Sequence, residues 1–166
     1  MKGNNIDMHK GFTLIELLVV IAILGLLISV LLTTINPIAQ FQKSNDARRK
    51  TDLETLQRAL ELYYQDNNAY PSSTSNEING LSWGSAWAPY INKLPQDPVT
   101  GKNYVYFSTG QAYYLYTNLE RGSKDPQSCN NGNACSGFSR AIVGFPQNTA
   151  CGGTCNYGIS SPNVSP

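Results

Sequence analysis

Glu16 is a carboxylate in the wrong solvent. It lies in the run Gly11-Phe12-Thr13-Leu14-Ile15-Glu16-Leu17-Leu18, and from Leu17 to Ile35 the chain carries no charge. A helix rising about 1.5 Å per residue over roughly 20 apolar residues spans the hydrocarbon core of a bilayer, so this run is expected to form a membrane helix. An ionised acid in such a segment costs about 2.5 to 3.5 kcal/mol on insertion scales, which marks Glu16 as functional and in need of a cationic partner. The other reactive side chains are four cysteines, Cys129, Cys135, Cys151 and Cys155, in a C-terminal stretch dense in Gly, Asn and Ser. Catalysis has little to stand on. His9 is the single histidine and precedes the apolar run, and no Gly-rich phosphate loop follows a strand. The chain is expected not to be an enzyme and to need no cofactor or metal.

Two plainer readings of the apolar run compete. A secretory signal peptide has a shorter core, about 7 to 15 residues, followed by a small-x-small cleavage site. Nothing after Ser29 offers one, since Pro37 would occupy the minus-three position before Gln40. A simple single-pass anchor tolerating an acid near its end is the other.

The residues Lys10-Gly11-Phe12-Thr13-Leu14-Ile15-Glu16-Leu17-Leu18-Val19-Val20, continued by Ile21-Ala22-Ile23-Leu24-Gly25-Leu26-Leu27, resemble the prepilin signal of bacterial type IV pilins and type II secretion pseudopilins. The resemblance implies that a prepilin peptidase cuts after Gly11 and methylates Phe12, and that Glu16 is required for assembly. Physical chemistry supports the same arrangement. A free amine on Phe12 in a low-dielectric helix bundle needs an anion as much as Glu16 needs a cation, and a buried ionic pair between neighbours rewards only the correct register.

The elements that position these residues follow from periodicity and punctuation. The expected fold class is α+β: a long N-terminal helix, transmembrane then amphipathic, packed on a small antiparallel β-sheet head with a disulfide-stapled C-terminal loop region. Expected boundaries are a leader at 1–11, a transmembrane and polymerisation helix at 12–36, an amphipathic helix at 37–68 and a head at 69–166. Within the head, an αβ-loop covers 69–101, sheet 102–145 and the Cys-rich loop 129–166. Asn36-Pro37 is expected to kink the helix. By the family resemblance, the stretch between Gly25 and Pro37 is where the helix would extend or melt on assembly. Leu53, Leu56, Leu60 and Tyr63 form an apolar stripe for the head. The pairs Asp46 with Lys50, Glu54 with Arg58 and Arg58 with Glu61 are expected on a solvated or subunit-facing side. Asp66-Asn67-Asn68 ends the helix.

Pro71 to Asn76 reads as loop, and Leu81 to Ile91, with Trp83 and Trp87, is expected to hold one short helix. Asn103–Ser108 and Ala112–Leu119 read as a hairpin, with Phe138–Phe145 as a third strand. Tyr70-Pro71, Leu94-Pro95-Gln96-Asp97-Pro98 and Tyr104 resemble the corresponding stretch of major pseudopilins and of the pilins nearest them. Tyr104, Tyr106, Tyr113, Tyr114 and Tyr116 are expected in the core, because the basic residues that a nucleic-acid groove needs are scattered.

The cysteines are expected to form disulfides, since a loop-rich tail with few large apolar residues cannot hold itself. Local pairs, Cys129 with Cys135 and Cys151 with Cys155, are favoured among three connectivities, with a zinc site as a rival of poor spacing. Glu120 and Asp125 with the carbonyls of Gly122 and Ser123 supply too few ligands for calcium.

Net charge is +1, which excludes a strong field for nucleic acid. Lys2 and Lys10 ahead of the span favour a cytoplasmic amino terminus with the head outside. The expected function is that of a major pilin, polymerising into a surface type IV pilus for adhesion, motility or DNA uptake. A type II secretion pseudopilin is the alternative, and a membrane-anchored ligand-binding module a third. The resemblance implies these partners: copies of itself, the prepilin peptidase, an inner-membrane assembly platform with its ATPase, minor pilins and, before assembly, membrane lipid. It implies a place in the cytoplasmic (inner) membrane and later in an extracellular pilus.

Overall fold

The computed structural model describes residues 11–34, 36–139, 142 and 144–166. The expected leader, Gly11 apart, lies outside the described residues, as do Arg140, Ala141 and Val143 of the expected third strand. The chain divides into two compact units, Met1–Ala39 and Gln40–Pro166.

In the first unit, helix α1 runs Leu14–Thr34. Its window Leu14–Leu31 has a mean hydropathy of 3.0 with none of it buried, long and apolar enough to cross a membrane. The helix passes through Gly25 without interruption. A second helix, α2, begins at Pro37 and ends at Asn67. Asn36-Pro37 therefore stands at the start of α2, and Ile35, between the two helices, lies outside the described residues. The Asn36 side-chain oxygen accepts from the Ala39 N–H at 3.1 Å, and proline at the first helical position loses a donor that had no partner anyway.

The second unit is built on α2 from Gln40 onward. Leu53, Leu56, Ala59 and Leu60 are buried, and Tyr63 packs against the same cluster, as their spacing requires. Asn68, at φ 54, takes the left-handed conformation that closes the helix.

Among the described residues five short strands follow: β1 Ser73–Thr74, β2 Glu77–Ile78, β3 Val105–Ser108, β4 Tyr113–Thr117 and β5 Tyr157–Ser160. The stretch expected as loop thus holds a small hairpin, turned by Ser75 and Asn76 at φ 53 and 66. The principal sheet has the order β3-β4-β5, antiparallel throughout, with Val105 opposite Tyr116 and Tyr116 opposite Gly158.

Both faces of this sheet are covered. Tyr104, Tyr106, Tyr113 and Leu115 share one core with Leu53, Leu56 and Leu60 of α2. Val105, Phe107, Tyr114 and Tyr116 point the other way, into a core with Cys135, Cys151 and Cys155. A strand buried on both sides needs apolar or aromatic residues at every position, which is why Tyr113 to Tyr116 shows no polar alternation.

Two expectations fail here. Leu81–Ile91 is not a helix: Gly84 sits at φ 93, Pro89 supplies no donor, and Trp87 and Ile91 exchange backbone hydrogen bonds across a tight turn. Nor is Phe138–Phe145 the third strand. Ser136–Ser139 is a 3₁₀ turn, while Phe138 and Phe145 lay their rings on Tyr116 and Phe107 at 4.3 and 4.8 Å. Their hydrophobicity serves the back core instead of a ladder. The true third strand contains Gly158, where a Cβ would lie 2.5 Å from the Tyr116 ring. Only glycine admits that ring, at the expense of strand propensity.

Candidate assembly site

The start of α1 carries the chemistry singled out by the sequence. Thr13 caps the helix: its hydroxyl oxygen accepts from the Glu16 N–H at 3.3 Å. The same hydroxyl donates to the Glu16 carboxylate at 3.5 Å. Thr13-x-x-Glu16 thus has the spacing of a capping box, with an acid in the first turn facing the positive end of the helix dipole. Phe12 and Leu14 are more than four-fifths exposed, and among the described residues nothing beyond the chain neighbours lies within 4 Å of the position a Gly11 Cβ would take. Gly11, Phe12 and Glu16 are thus exposed together at the start of one helix. Gly25, further along the same helix, is also surrounded by open space.

In the second unit, the dominant polar feature is Arg49, whose side chain is wholly buried. Its Nε and Nη2 donate to the two oxygens of Asp97 at 2.8 and 2.9 Å. Its Nη1 donates to Asp46 at 2.8 Å and Glu120 at 2.9 Å. The carboxylates have further donors: Asp46 accepts from the Glu120 and Arg121 N–H groups, Asp97 from Val99 N–H and Glu120 from the Asn45 amide. Burial works against the charge of Arg49, but the hydrogen bonds to Asp97 and Glu120 outweigh it and raise its pKa further. Nearby, the Tyr104 hydroxyl donates to Asp52 at 2.6 Å, and burial lifts the Asp52 carboxyl above its ordinary value.

This latch corrects the expected charge pattern. Asp46 is buried and pairs with Arg49, not with Lys50. Lys50 reaches Asp125 at 2.6 Å, and Arg58 donates to Thr55. Glu61 accepts from both the Tyr70 and Tyr113 hydroxyls; burial and that negative charge push the Tyr70 phenol up to about 12. Glu120 and Asp125 are engaged by Arg49 and Lys50, and the carbonyl of Gly122 accepts from Ser128, so the acids weighed for calcium are committed elsewhere.

A signal for Arg49 was present in the sequence. Positions 46, 49, 53, 56, 60 and 63 continue one helical stripe, which sets Asp46 and Arg49 in register with the apolar face; nothing local singles out Asp97 as the partner.

The cysteines form two disulfides, Cys129–Cys135 and Cys151–Cys155. The loops they close are joined by backbone bonds, Cys135 N–H to the Cys155 carbonyl and Cys129 N–H to the Asn156 carbonyl. With Phe138 and Phe145 they cover the back face of the sheet.

Two family models match the chain. One, described as type II secretion system (T2SS), protein G, covers residues 36–135. The other, the prokaryotic N-terminal methylation motif, covers residues 7–32. The type II secretion system core protein G of Aeromonas hydrophila is 37% identical over 112 residues, covering 62% of this chain and 76% of that protein. Its counterpart from Pectobacterium carotovorum subsp. carotovorum is 36% identical over 112 residues, with 62% and 69% covered. That of Escherichia coli (strain K12) is 32% identical over 133 residues, with 72% and 89% covered. No solved structure matches. The first match stops at Cys135, so β5 and the Cys151–Cys155 loop lie beyond it.

Proposed function

The chain belongs to the type II secretion system protein G family, and on that premise we propose that it is a pseudopilin, a subunit that polymerises through α1 into a filament of the secretion machine. The family match supports this reading, set out above as the alternative, better than the surface pilin, which has no specific support. The subunit waits in the inner membrane as a single-pass protein, amino terminus in the cytoplasm and head outside. Prepilin peptidase cuts after Gly11 and methylates Phe12. An assembly platform and its ATPase then draw the subunit from the lipid into the homopolymer, alongside minor pilins.

The observation that carries the mechanism is the exposure of Phe12 and Glu16 together at the start of α1. Once cleaved, the Phe12 amine of one copy and the Glu16 carboxylate of the next neutralise each other in a medium that solvates neither. The pair fixes axial register, which apolar packing alone leaves degenerate.

Glu16 also belongs to the Thr13 cap, so the test must separate the two roles. Glu16→Gln keeps a polar capping partner and removes the charge. The expected result is normal membrane insertion and cleavage with filament yield down at least tenfold, the same as for Glu16→Ala. Wild-type filament yield from Glu16→Gln would assign the residue to helix capping and overturn the ion pair. N-terminal mass spectrometry locates the product: N-methylated Phe12 confined to the envelope fits a pseudopilus, whereas its recovery in filaments sheared from the cell surface would return the surface pilus to first place.

A further inference from the structure

A groove of about 400 Å³ lies where the first half of α2 meets the segment after β4. Four cations line it, Lys43, Lys50, Arg121 and Lys124, with two carboxylates, Asp46 and Asp125. Both acids are already spent. Asp46 is saturated by Arg49 and two backbone N–H groups. Asp125 accepts from Lys50 and the Gln127 N–H. Lys43 and Lys124 are exposed at the rim. Lys50 is committed to Asp125 in turn, so the positive charge the groove offers is that of the exposed Lys43 and Lys124 ammonium groups at its rim, which suit an oxyanion such as a phosphodiester.

The chain itself says where such an anion is abundant. Lys43 follows Leu31, the end of the apolar window, by about twelve residues, a tether of at most about 40 Å even when fully extended. A head so tethered to a bilayer meets headgroup phosphates at high effective concentration, so weak groove binding is enough.

We propose that the Lys43–Lys124 groove docks the head on the phosphates of anionic phospholipid while the subunit is stored in the membrane. The inference rests on the membrane-stored state proposed above. Docking holds the head down until assembly, when the groove must let go.

The test uses the full mature chain in nanodiscs of phosphatidylcholine with or without about one-third phosphatidylglycerol, read by lysine reductive methylation and mass spectrometry. Lys93, exposed and remote in sequence from the groove, is the internal control. The expected result is methylation of Lys43 and Lys124 at least threefold slower on anionic discs, with Lys93 unchanged and the protection lost in about 0.5 M salt. Equal rates on both discs overturn the docking while leaving the membrane-stored subunit intact. Failure of the chain to enter discs at all overturns the stored state and the docking with it. Protection by millimolar inorganic phosphate in detergent, without any lipid dependence, identifies a free-anion site. Protection on neutral discs that grows with the number of chains per disc identifies the acids of a second copy. Either of the last two results overturns the lipid assignment.

Discussion

Arg49 and Asp97, 48 residues apart, meet in a two-point contact that ties helix α2 to the segment Leu94–Pro98. Arg49 serves Asp46 and Glu120 as well, so one guanidinium fastens the helix, the 94–98 segment and the segment after β4. Removing it strands buried carboxylates, which typically costs about 3 to 5 kcal/mol. Arg49→Ala should therefore destabilise the head by roughly that amount in chemical denaturation. Arg48→Ala should cost less than about 0.5 kcal/mol, because Arg48 is 60% exposed and 3.8 Å from Asp52. Similar midpoints for the two variants would refute the latch.

The Lys50–Asp125 contact predicts an acid limb. Burial opposes ionisation of Asp125, but the Lys50 ammonium and the Gln127 N–H win and hold its carboxyl below the ordinary value. A depressed folded-state pKa gives stability that is fully present above the unfolded value, about 3.9, and is lost as pH falls through the folded value. Asp125→Asn should lower stability at pH 7 and lose less than wild type between about pH 4 and pH 2. Thermal melts across that range would show parallel curves if the contact contributes nothing.

Thr117 is wholly buried, and its hydroxyl oxygen has no hydrogen-bond partner among the described residues. Thr117→Val keeps the shape and removes the stranded polar atom, so it should be neutral or stabilising by up to about 1 kcal/mol. A loss beyond about 1 kcal/mol in the same denaturation assay would mean the hydroxyl is satisfied.

Gly158 lies under the Tyr116 ring, with a Cβ position also 3.0 Å from the Leu115 carbonyl. Gly158→Ala should force the ring aside and cost about 1 to 3 kcal/mol. Gly101→Ala is a contrasting case: no neighbour lies within 4 Å, but φ 82 carries a backbone penalty, expected near 1 kcal/mol. A Gly158→Ala head as stable as wild type would remove the steric role.

Cys151–Cys155 and Cys129–Cys135 close short loops that cover the back of the sheet. Replacing either pair by serine should lower stability by about 2 kcal/mol, and reduction of the native chain should reproduce the double loss. A melting temperature indifferent to reductant would show that the back core holds without them.

Local sequence determined whatever depends on neighbours along the chain. The apolar run of α1, the stripe Leu53-Leu56-Leu60-Tyr63, the helix stop at Asn67–Asn68 and the hairpin of β3 and β4 are set by periodicity and turn chemistry within a few residues. The resemblance at Gly11 to Leu27 is equally local, because a processing signal is read as a linear segment. Tertiary structure alone decided what distant residues share. Phe138 and Phe145 have strand composition but found aromatic rings to cover, while Gly158, a poor strand former, took the ladder because Tyr116 needed the space. Asp46 and Lys50 have the spacing of a surface pair, yet Asp46 was claimed by Arg49 once the 94–98 segment and Glu120 closed over it. Burial decides which of several possible charge pairs forms, and burial is a property of the packed chain.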